Sequence, residues 1–424
     1  MERDFCKEAF PYRKDTALKK FMIIVLDGFG VGQMEDVPQV RPQDMGANTW
    51  LHILEAKPDL RLPTLEKLGL MNIVNFETST MNFQANATFG KAKLMHDGAD
   101  TFFGHQEIVG TRPQRPFGEP IKNRIDLINQ TLIQHGYHTE FYLGDQERML
   151  IVENALTVAD NVECDPGQAF NVTAAIDGIP FEEELKIGKL VRSVSRVPRV
   201  ITFGGRGITI DNILSAVEEH DGGYIGVNAP KSGVYNKDYH CIHLGFGVDP
   251  EVQVPTILGR EGFPVWLLGK AADVIQNPFG KSISMVETSR VLHKMTEIAE
   301  QMQTGFICCN VQETDLAGHQ ENVEKYADVL RTADSLIGEL IKTMNREDIL
   351  VVMADHGNDP TIGHPHHTRE YVPLMIYGEK VRPCEIGERS TLSDVGATAA
   401  EYFGVNPPEN GKSFLHEILS QRCS

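Results

Sequence analysis

Long apolar runs lie near both ends of this chain, and each run leads into a residue that can bind a metal ion. Three of them span residues 21–26, 306–311 and 349–353. Apolar runs of this length, of which only the second contains a polar residue, Asn310, are typical of central strands in a parallel sheet. The carboxylates that follow these runs are Asp27, Asp315 and Asp355. We predict that they lie together, because open α/β sheets place their sites at the carboxyl ends of their strands.

Between these runs the apolar positions follow a helical period. Apolar residues recur every three or four positions across residues 289–303, which predicts an amphipathic helix. Ser393 precedes another apolar segment, residues 395–402, and predicts the cap of a core helix. Helices that alternate with buried strands predict a parallel α/β sheet. The polar residues before Lys19 predict an extended arm or a short helix.

The pattern changes in the middle of the chain. After a proline-rich connection at residues 111–120, apolar segments become short and alternate with polar residues. We predict a first core segment at residues 1–112, an inserted smaller α+β cap domain at 113–247, and a second core segment at 248–424. Basic residues in the predicted cap domain indicate either a solvated face or a phosphate-facing surface. They are Arg192, Arg196, Arg199, Arg206, Lys231 and Lys237.

Composition and charge narrow the classes of function. The 424 residues are 41% hydrophobic and 23% charged, which is typical of a soluble globular protein. The net charge of -19 argues against nucleic acid as a partner. No stretch is apolar for long enough to span a membrane, and the charged start at residues 1–4 does not resemble a signal peptide, so we expect a cytoplasmic protein. The seven cysteines form no CxxC motif and indicate ordinary thiols.

The densest group of ligand types lies between residues 354 and 370. Asp355 and His356 open this stretch, and His367 stands near its end, with His364 and His366 as rivals for the same role. Carboxylates and imidazoles from several core segments indicate two divalent metal ions, Mn²⁺ first, with Zn²⁺ or Mg²⁺ as alternatives. The predicted ligands are Asp27, Thr101, Asp315, His319, Asp355, His356 and His367.

A hydroxyl joins this set as a candidate nucleophile. Thr101 follows Asp100 directly before a predicted helix, a pattern that also occurs at ordinary helix starts. A neighbouring metal ion would lower the pKa of the hydroxyl. Asp27 is followed by Gly28, Gly30 and Gly32. These glycines do not form GxGxxG, so we interpret them as a tight turn beside an ion and not as a dinucleotide site.

Taken together, these motifs resemble the alkaline phosphatase superfamily and, within it, the metal-dependent phosphopentomutase family. The segments that carry the resemblance are Val-Leu-Asp-Gly-Phe-Gly-Val-Gly at 25–32, Asp-Thr-Phe-Phe-Gly-His-Gln-Glu at 100–107, Asp-Leu-Ala-Gly-His at 315–319, Ala-Asp-His-Gly-Asn-Asp-Pro at 354–360 and His-Thr-Arg-Glu-Tyr-Val-Pro at 367–373. The resemblance implies a three-layer α/β/α core with an inserted cap domain.

The resemblance also implies roles for particular residues. One metal ion would be bound by Asp315, His319 and His367. The other would be bound by Asp27, Asp355 and His356, with Thr101 bridging the two ions. Thr101 would carry the phosphoryl group, and Lys270 would contact phosphate.

The implied reaction moves phosphate between C1 and C5 of ribose or deoxyribose, with a phosphothreonine, a sugar bisphosphate as activator and a cap that excludes water. The implied partner is a small phosphorylated metabolite, and we expect a monomer or a small homo-oligomer. The chain departs from the family at Gln106, at the Asp315–His319 spacing and in the basic segment of the cap. A mutase for another metabolite, a phosphatase or phosphodiesterase, and a metal-binding protein without catalysis therefore stay open as alternatives.

Overall fold

The computed structural model describes residues 18–163 and 166–419, so the arm predicted before Lys19 lies almost wholly outside the described residues. The chain divides into two compact units. The first unit combines the residues up to Pro113 with those from Asp249 onward, and the second unit comprises Gln114–Val248. Each unit has its own sheet and its own apolar core.

The strands are numbered here in chain order over the described residues. They are β1 (Lys20–Leu26), β2 (Thr88–Ala92), β3 (Thr139–Leu143), β4 (Arg148–Val152), β5 (Leu156–Asp160), β6 (Ala169–Ala175), β7 (Arg199–Gly205), β8 (Val217–His220), β9 (Tyr224–Val227), β10 (His240–Gly245), β11 (Val265–Leu268), β12 (Lys281–Ile283), β13 (Gly305–Val311), β14 (Ile349–Met353), β15 (Val372–Tyr377) and β16 (Cys384–Arg389).

The α-helices are numbered in the same way, and three short 3-10 helices lie at Pro42–Asp44, Ile121–Asn123 and Pro250–Val252. The α-helices are α1 (Val37–Val40), α2 (Thr49–Ala56), α3 (Pro63–Lys67), α4 (Leu70–Val74), α5 (Thr101–Ile108), α6 (Ile125–Gln134), α7 (Phe181–Val194), α8 (Ile210–Leu214), α9 (Ala229–Ser232), α10 (Val254–Arg260), α11 (Lys270–Val274), α12 (Thr288–Gln301), α13 (Glu313–His319), α14 (Val323–Thr343), α15 (Ser393–Phe403) and α16 (Leu415–Ile418). Within the described part of the chain, no helix has the length and apolar content needed to cross a membrane.

The first unit is built on an eight-stranded sheet with the order β12-β11-β13-β1-β14-β15-β2-β16. The five strands from β12 to β14 run parallel, as the apolar runs that form β1, β13 and β14 predict for those three. Strand β15 runs antiparallel to β14, so the expectation of a wholly parallel sheet is wrong at this edge. The reason is the connection between them, residues 354–371, which contains no helix. A strand that starts at the edge where its neighbour ends must run back along it.

Helices cover both faces of this sheet. Every residue of β1, β13 and β14 is buried, which requires apolar neighbours on both sides. Helix α14 packs on α12, α13 and α3, whereas α15 packs on α5 and α10. The predicted α/β core with helices on both faces of its sheet is confirmed.

The second unit is smaller and forms an α+β structure of its own. Its main sheet has six strands in the order β10-β7-β6-β5-β4-β3, and β8 and β9 form a separate two-stranded sheet. Only β6 and β7 pair in parallel, so this sheet is mixed. Helices α6 and α7 pack on each other, and α7 covers β7. The prediction of a smaller α+β region with a mixed or antiparallel sheet is confirmed.

A buried ion pair fixes the start of β1 against the start of β14. Lys20 Nζ lies 3.0 Å from Asp348 Oδ2, and the two side chains are 2% and 0% exposed. The backbone N–H of Lys20 also donates to Asp348 Oδ1 at 2.9 Å. A buried charge that loses its partner costs far more than an exposed one.

We expect Asp348→Ala to lower the free energy of unfolding of the first unit by about 3–5 kcal/mol, because Lys20 would stay buried and unpaired. Urea unfolding followed by tryptophan fluorescence measures this, since Trp50 and Trp266 both lie in that unit. The matched control is Asp328→Ala, which removes an exposed i,i+3 pair with Arg331 and should cost less than about 1 kcal/mol. An equal loss of unfolding free energy in both variants would contradict the claim that the buried ion pair matters more than the exposed one.

Candidate metal centre

Four neighbouring strands deliver chemically active side chains to one edge of the first unit's sheet. Strands β11, β13, β1 and β14 are adjacent and parallel, so their carboxyl ends meet at this edge. The residues that follow those ends are Lys270 after β11, Asp315 after β13, Asp27 after β1, and Asp355 with His356 after β14. Strand β15 starts at the same edge, so the segment that precedes it brings His367 there as well.

Close packing explains the glycines around this edge. Gly28 has φ +73°, and a Cβ atom on it would lie 2.9 Å from the Asn358 side chain and 3.3 Å from an Asp315 oxygen. A Cβ atom on Gly30 would lie 2.2 Å from a carboxylate oxygen of Glu370. The backbone therefore approaches the ligand residues more closely than a larger residue would allow.

Three predicted ligands of one ion lie together. His367 Nε2 is 3.2 Å from Asp315 Oδ1, and His319 Nε2 is 3.5 Å from the same oxygen. The two Nε2 atoms are 3.0 Å apart. Asp315 and His319 are four residues apart in α13, which places both side chains on one face of that helix.

The predicted ligands of the other ion also lie together. His356 Nε2 is 3.4 Å from both Asp27 Oδ1 and Asp355 Oδ2. The Thr101 hydroxyl donates to Asp355 Oδ2 at 2.7 Å. The ring of His356 stacks on that of His367 with centroids 3.9 Å apart, so the two groups of ligands adjoin. His356 also falls within ligand distance of Asp315 and His367, and the structure therefore brings all seven predicted ligands to one site.

The imidazoles are held in one tautomer. Each Nδ1 donates to a backbone carbonyl oxygen: His319 to Pro365 at 2.6 Å, His356 to Gly357 at 2.9 Å, and His367 to Ala99 at 2.8 Å. A carbonyl oxygen can only accept, so each Nδ1 carries a proton and each Nε2 is the ring nitrogen that faces the carboxylates and is left for a metal ion. This arrangement is typical of metal-binding histidines, whose other ring nitrogen donates to a carbonyl or carboxylate.

This arrangement of donors fits divalent cations. Lone pairs on the facing Nε2 atoms of His319 and His367 repel each other unless a proton or a metal ion lies between them. Asp27 Oδ1 and His356 Nε2 are buried and have no hydrogen-bond partner among the described residues. Donors that share one ion at about 2.1 Å lie about 3.0–3.4 Å apart, which is close to the separations found here. The residues could therefore bind two ions without a large rearrangement.

The electrostatics of the metal-free site point the same way. Burial disfavours a charge on His356, but the carboxylates of Asp355, Asp27 and Asp315 outweigh it and raise the pKa of His356 to about 10. Burial also opposes ionisation of Asp355, yet nearby His356, His105 and Lys270 hold the pKa of Asp355 well below its usual range. The site thus holds excess negative charge that only protons or cations can balance, and a bound metal ion would displace a proton from His356.

Lys270 is one of the cations that balance this charge. Its Nζ lies 3.0 Å from Asp27 Oδ2 and 3.1 Å from Asp315 Oδ2. Burial lowers the pKa of Lys270, but the carboxylates of Asp27, Asp315 and Asp355 outweigh it, and the pKa stands above its ordinary value. Lys270 therefore touches the ligand cluster directly, and its predicted contact with phosphate stays a prediction.

Thr101 begins helix α5, and Asp100 caps that helix by accepting a hydrogen bond from Phe103 N–H at 3.0 Å. The free N–H groups and the dipole of a helix start favour negative charge near this hydroxyl. The side chain is partly buried and faces Asp355.

His105 was not among the predicted site residues, although it lies in the same cluster. Its side chain offers a ligand atom within 4.8 Å of those of Asp27 and Asp355. Its Nδ1 is 3.1 Å from Asp355 Oδ2 and 2.8 Å from the Thr101 carbonyl oxygen. The signal was available in the sequence, because residues four apart in a helix share a face.

The two rivals of His367 lie apart from the clustered ligands. His364 Nε2 is 3.3 Å from Asp44 Oδ1, and His366 is exposed. Among the described residues, His367 offers a ligand atom close to one of Asp315, and neither His364 nor His366 belongs to such a group, which favours His367 as the third ligand.

The chain matches one family model and several known proteins over most of its length. The family model of the metalloenzyme superfamily matches residues 19–407. The chain is 30% identical over 428 residues to the phosphopentomutase of Desulfitobacterium hafniense, covering 95% of this chain and 100% of that protein. It is 29% identical over 419 residues to the phosphopentomutase of Symbiobacterium thermophilum, covering 95% of this chain and 99% of that protein. Among solved structures, Leishmania mexicana phosphoglycerate mutase aligns with a TM-score of 0.46 at 12% identity, covering 96% of this chain and 99% of that one.

We expect His367→Ala to lose one of two bound divalent ions, because Asp315 and His319 alone would be too few protein ligands to hold that ion. The measurement is metal content per chain by mass spectrometry after loading with Mn²⁺ and dialysis. His366→Ala is the matched control and should keep both ions, since His366 is exposed. Retention of both ions by His367→Ala, or their loss from His366→Ala, would contradict the ligand assignment.

Proposed function

Because this chain belongs to the metalloenzyme superfamily, we propose that it is a metal-dependent phosphomutase. Two relatives named phosphopentomutase match it over 95% of its length, which supports this class of reaction. The single observation that carries the proposal is the gathering of three carboxylates and three imidazoles at one edge of the sheet, where Thr101 contacts one of the carboxylates, Asp355. The Thr101 hydroxyl lies 2.7 Å from Asp355 Oδ2, and that oxygen lies 3.4 Å from His356 Nε2.

The finer proposal concerns the substrate. The chain would interconvert the 1-phosphate and 5-phosphate of ribose or deoxyribose. The names of the relatives support a pentose, and the excess of acidic residues at the site supports a substrate that arrives as an anion to meet bound cations. Its partner would then be a small phosphorylated metabolite. The enzyme itself would act in the cytoplasm, as a monomer or a small homo-oligomer.

The proposed reaction has two phosphoryl transfers. In the first, the bond between phosphorus and Thr101 Oγ1 breaks, and a bond forms to the free hydroxyl oxygen of the sugar phosphate, which gives up its proton while Thr101 Oγ1 takes one. In the second, the bond between the other phosphorus of the bisphosphate and its sugar oxygen breaks and a bond forms to Thr101 Oγ1, which gives up its proton while the sugar oxygen takes one. The net change is a move of phosphate within one sugar, and the bisphosphate acts as the activator that loads Thr101.

Divalent ions, Mn²⁺ first, would supply charge neutralisation for the phosphoryl oxygens and would lower the pKa of the threonine hydroxyl. Asp315, His319 and His367 would bind one ion, and Asp27, Asp355 and His356 the other, with Thr101 between them. The chain's own groups orient the nucleophile: Asp355 Oδ2 accepts the Thr101 hydrogen bond, and the start of α5 presents its N–H groups to negative charge. Lys270 would leave the carboxylates to contact phosphate.

We expect the Mn²⁺-loaded protein to convert ribose 1-phosphate into ribose 5-phosphate when primed with a sugar bisphosphate. Both ribose 5-phosphate and free phosphate are followed in the same reaction. Ribose 5-phosphate should form with little free phosphate, because phosphoryl transfer to a sugar would outcompete transfer to water. Free phosphate as the main product would support a phosphatase instead, and no turnover would contradict the pentose assignment.

Thr101→Ala is the companion variant in this assay. It should lower turnover by at least about a thousandfold, since the residue that carries the phosphoryl group is gone. Its metal content should stay near that of the unmodified protein, because six other ligands remain. The matched control is Thr332→Ala, an exposed helical threonine whose hydroxyl donates to Asp328 O at 3.0 Å. Full turnover in Thr101→Ala would contradict the proposed role.

A further inference from the structure

The irregular segment that leads into Thr101 is held in place by side chains and not by a sheet or a helix. This entry segment, residues 94–100, lies between β2 and α5. Side chains from other parts of the first unit hydrogen-bond to several of its backbone polar groups. Besides the sulfur of Met34, which accepts from Leu94 N, three side chains outside the predicted ligand set contact the segment's backbone: Arg369, Glu107 and His96, the last from within the segment.

Arg369 binds the carbonyl oxygens of the entry segment. Its guanidinium donates to Leu94 O at 3.1 Å, to His96 O at 2.8 Å and to Gly98 O at 2.6 Å. The same group pairs with Asp36, at 2.9 Å from Nη2 to Oδ2. Arg369 is 6% exposed, and a planar guanidinium presents its donors in a fixed fork. Three alternate carbonyls are thus fixed relative to one rigid group.

Glu107 binds the opposite kind of group in the same segment. Its carboxylate accepts from Met95 N at 3.0 Å and from His96 N at 3.1 Å. Its other donors are Thr391 Oγ1 at 2.6 Å and Leu392 N at 2.9 Å. Glu107 lies near the end of α5, so it ties the entry segment to the helix that Thr101 begins.

His96 completes the connection to the nucleophile. Its Nδ1 is 2.8 Å from Glu107 Oε2, and its Nε2 is 3.4 Å from the backbone nitrogen of Asp100. A backbone N–H can only donate, so Nε2 is the acceptor and the ring proton lies on Nδ1, where it donates to Glu107. Asp100 is the cap of α5 and the residue directly before Thr101.

We propose that His96, oriented by Glu107 and supported by Arg369, is a positioning residue that sets where the Thr101 hydroxyl lies relative to Asp355. The proposal rests on the function proposed above and adds a specific contributor to it. His96 is 1% exposed, and its two ring nitrogens face Glu107 and the backbone of Asp100. Its action on Thr101 runs through the N–H of Asp100, the position at which the chain turns into α5.

The rival explanation is that His96 merely satisfies a buried carboxylate. Glu107 has four other donors, namely Met95 N, His96 N, Thr391 Oγ1 and Leu392 N. Loss of the Nδ1 contact would therefore leave Glu107 well bonded. Loss of the Nε2 contact would remove the side chain that holds Asp100 N–H, and a misplacement of about 1 Å at a reacting group can cost about a hundredfold in rate.

Two substitutions separate these explanations. His96→Asn can place an amide N–H where Nδ1 was, which keeps the bond to Glu107 and loses the acceptor for Asp100. His96→Gln can place an amide oxygen where Nε2 was, which keeps that acceptor and loses the bond to Glu107. We expect His96→Asn to lower kcat about tenfold or more, with KM and Mn²⁺ content near those of the unmodified protein. We expect His96→Gln to keep kcat within about threefold.

The reverse order, with His96→Asn active and His96→Gln impaired, would overturn the proposal and favour the carboxylate explanation. Equal, near-normal kcat in both variants would overturn it as well. Thermal unfolding of both variants accompanies the assay, so that loss of fold is not read as loss of positioning. His293→Asn, an exposed substitution on α12, is the matched control and should not change kcat.

A measurement without turnover separates this proposal from the proposed function. Nitrogen-15 NMR of the Zn²⁺-loaded, histidine-labelled protein reports which ring nitrogen of His96 carries the proton. We expect the proton on Nδ1, and a proton on Nε2 would overturn the proposal even if the enzyme is a mutase. Absence of mutase turnover in the unmodified protein, with the proton on Nδ1, would instead contradict the proposed function alone.

Discussion

The structure of the first unit depends on a concentration of negative charge that cannot be left unbalanced. Asp27, Asp315 and Asp355 are each 2% exposed or less at the ends of neighbouring strands. Two like charges about 4 Å apart repel by about 4 kcal/mol at an effective dielectric constant of 20. A sheet that places three carboxylates side by side therefore requires cations at this edge, and their arrangement organises the surrounding loops.

Much of the local sequence serves that requirement. Lys270 supplies one fixed positive charge between Asp27 and Asp315. The histidines donate their Nδ1 protons to backbone carbonyls, which leaves Nε2 free to face the carboxylates. Gly28 and Gly30 allow the loop after β1 to pass close to these groups. The ligand residues and the loops around them therefore depend on one another, and a substitution of one ligand should shift the positions of the neighbouring ligands.

The parts that could be predicted from sequence share a cause. An apolar run followed by an aspartate fixes both a strand and the end at which its ligand appears, so Asp27, Asp315 and Asp355 could be placed together without coordinates. Strand β15 was harder, because its apolar run fits either direction and the helix-free connection before it decides the matter. The α/β core and the smaller α+β unit followed from the same periodicities.

His105 and His96 show where sequence reasoning ended. Each is a lone histidine, and its importance depends on which atoms it meets. His105 Nδ1 meets Asp355, whereas His96 bridges Glu107 and the backbone of Asp100. Arg369 likewise meets carbonyls that are about 270 residues away in the chain. Apart from the four-residue spacing of Thr101 and His105, such contacts carry no local pattern, because they are set by how the loops fold over the strand ends.

The central claim is that this edge of the sheet binds two divalent ions next to Thr101. The most direct test is anomalous diffraction at the manganese edge from crystals grown with Mn²⁺. The account predicts two anomalous peaks about 4 Å apart, one beside Asp315, His319 and His367 and the other beside Asp27, Asp355 and His356. A single peak, or peaks away from these strand ends, would contradict it.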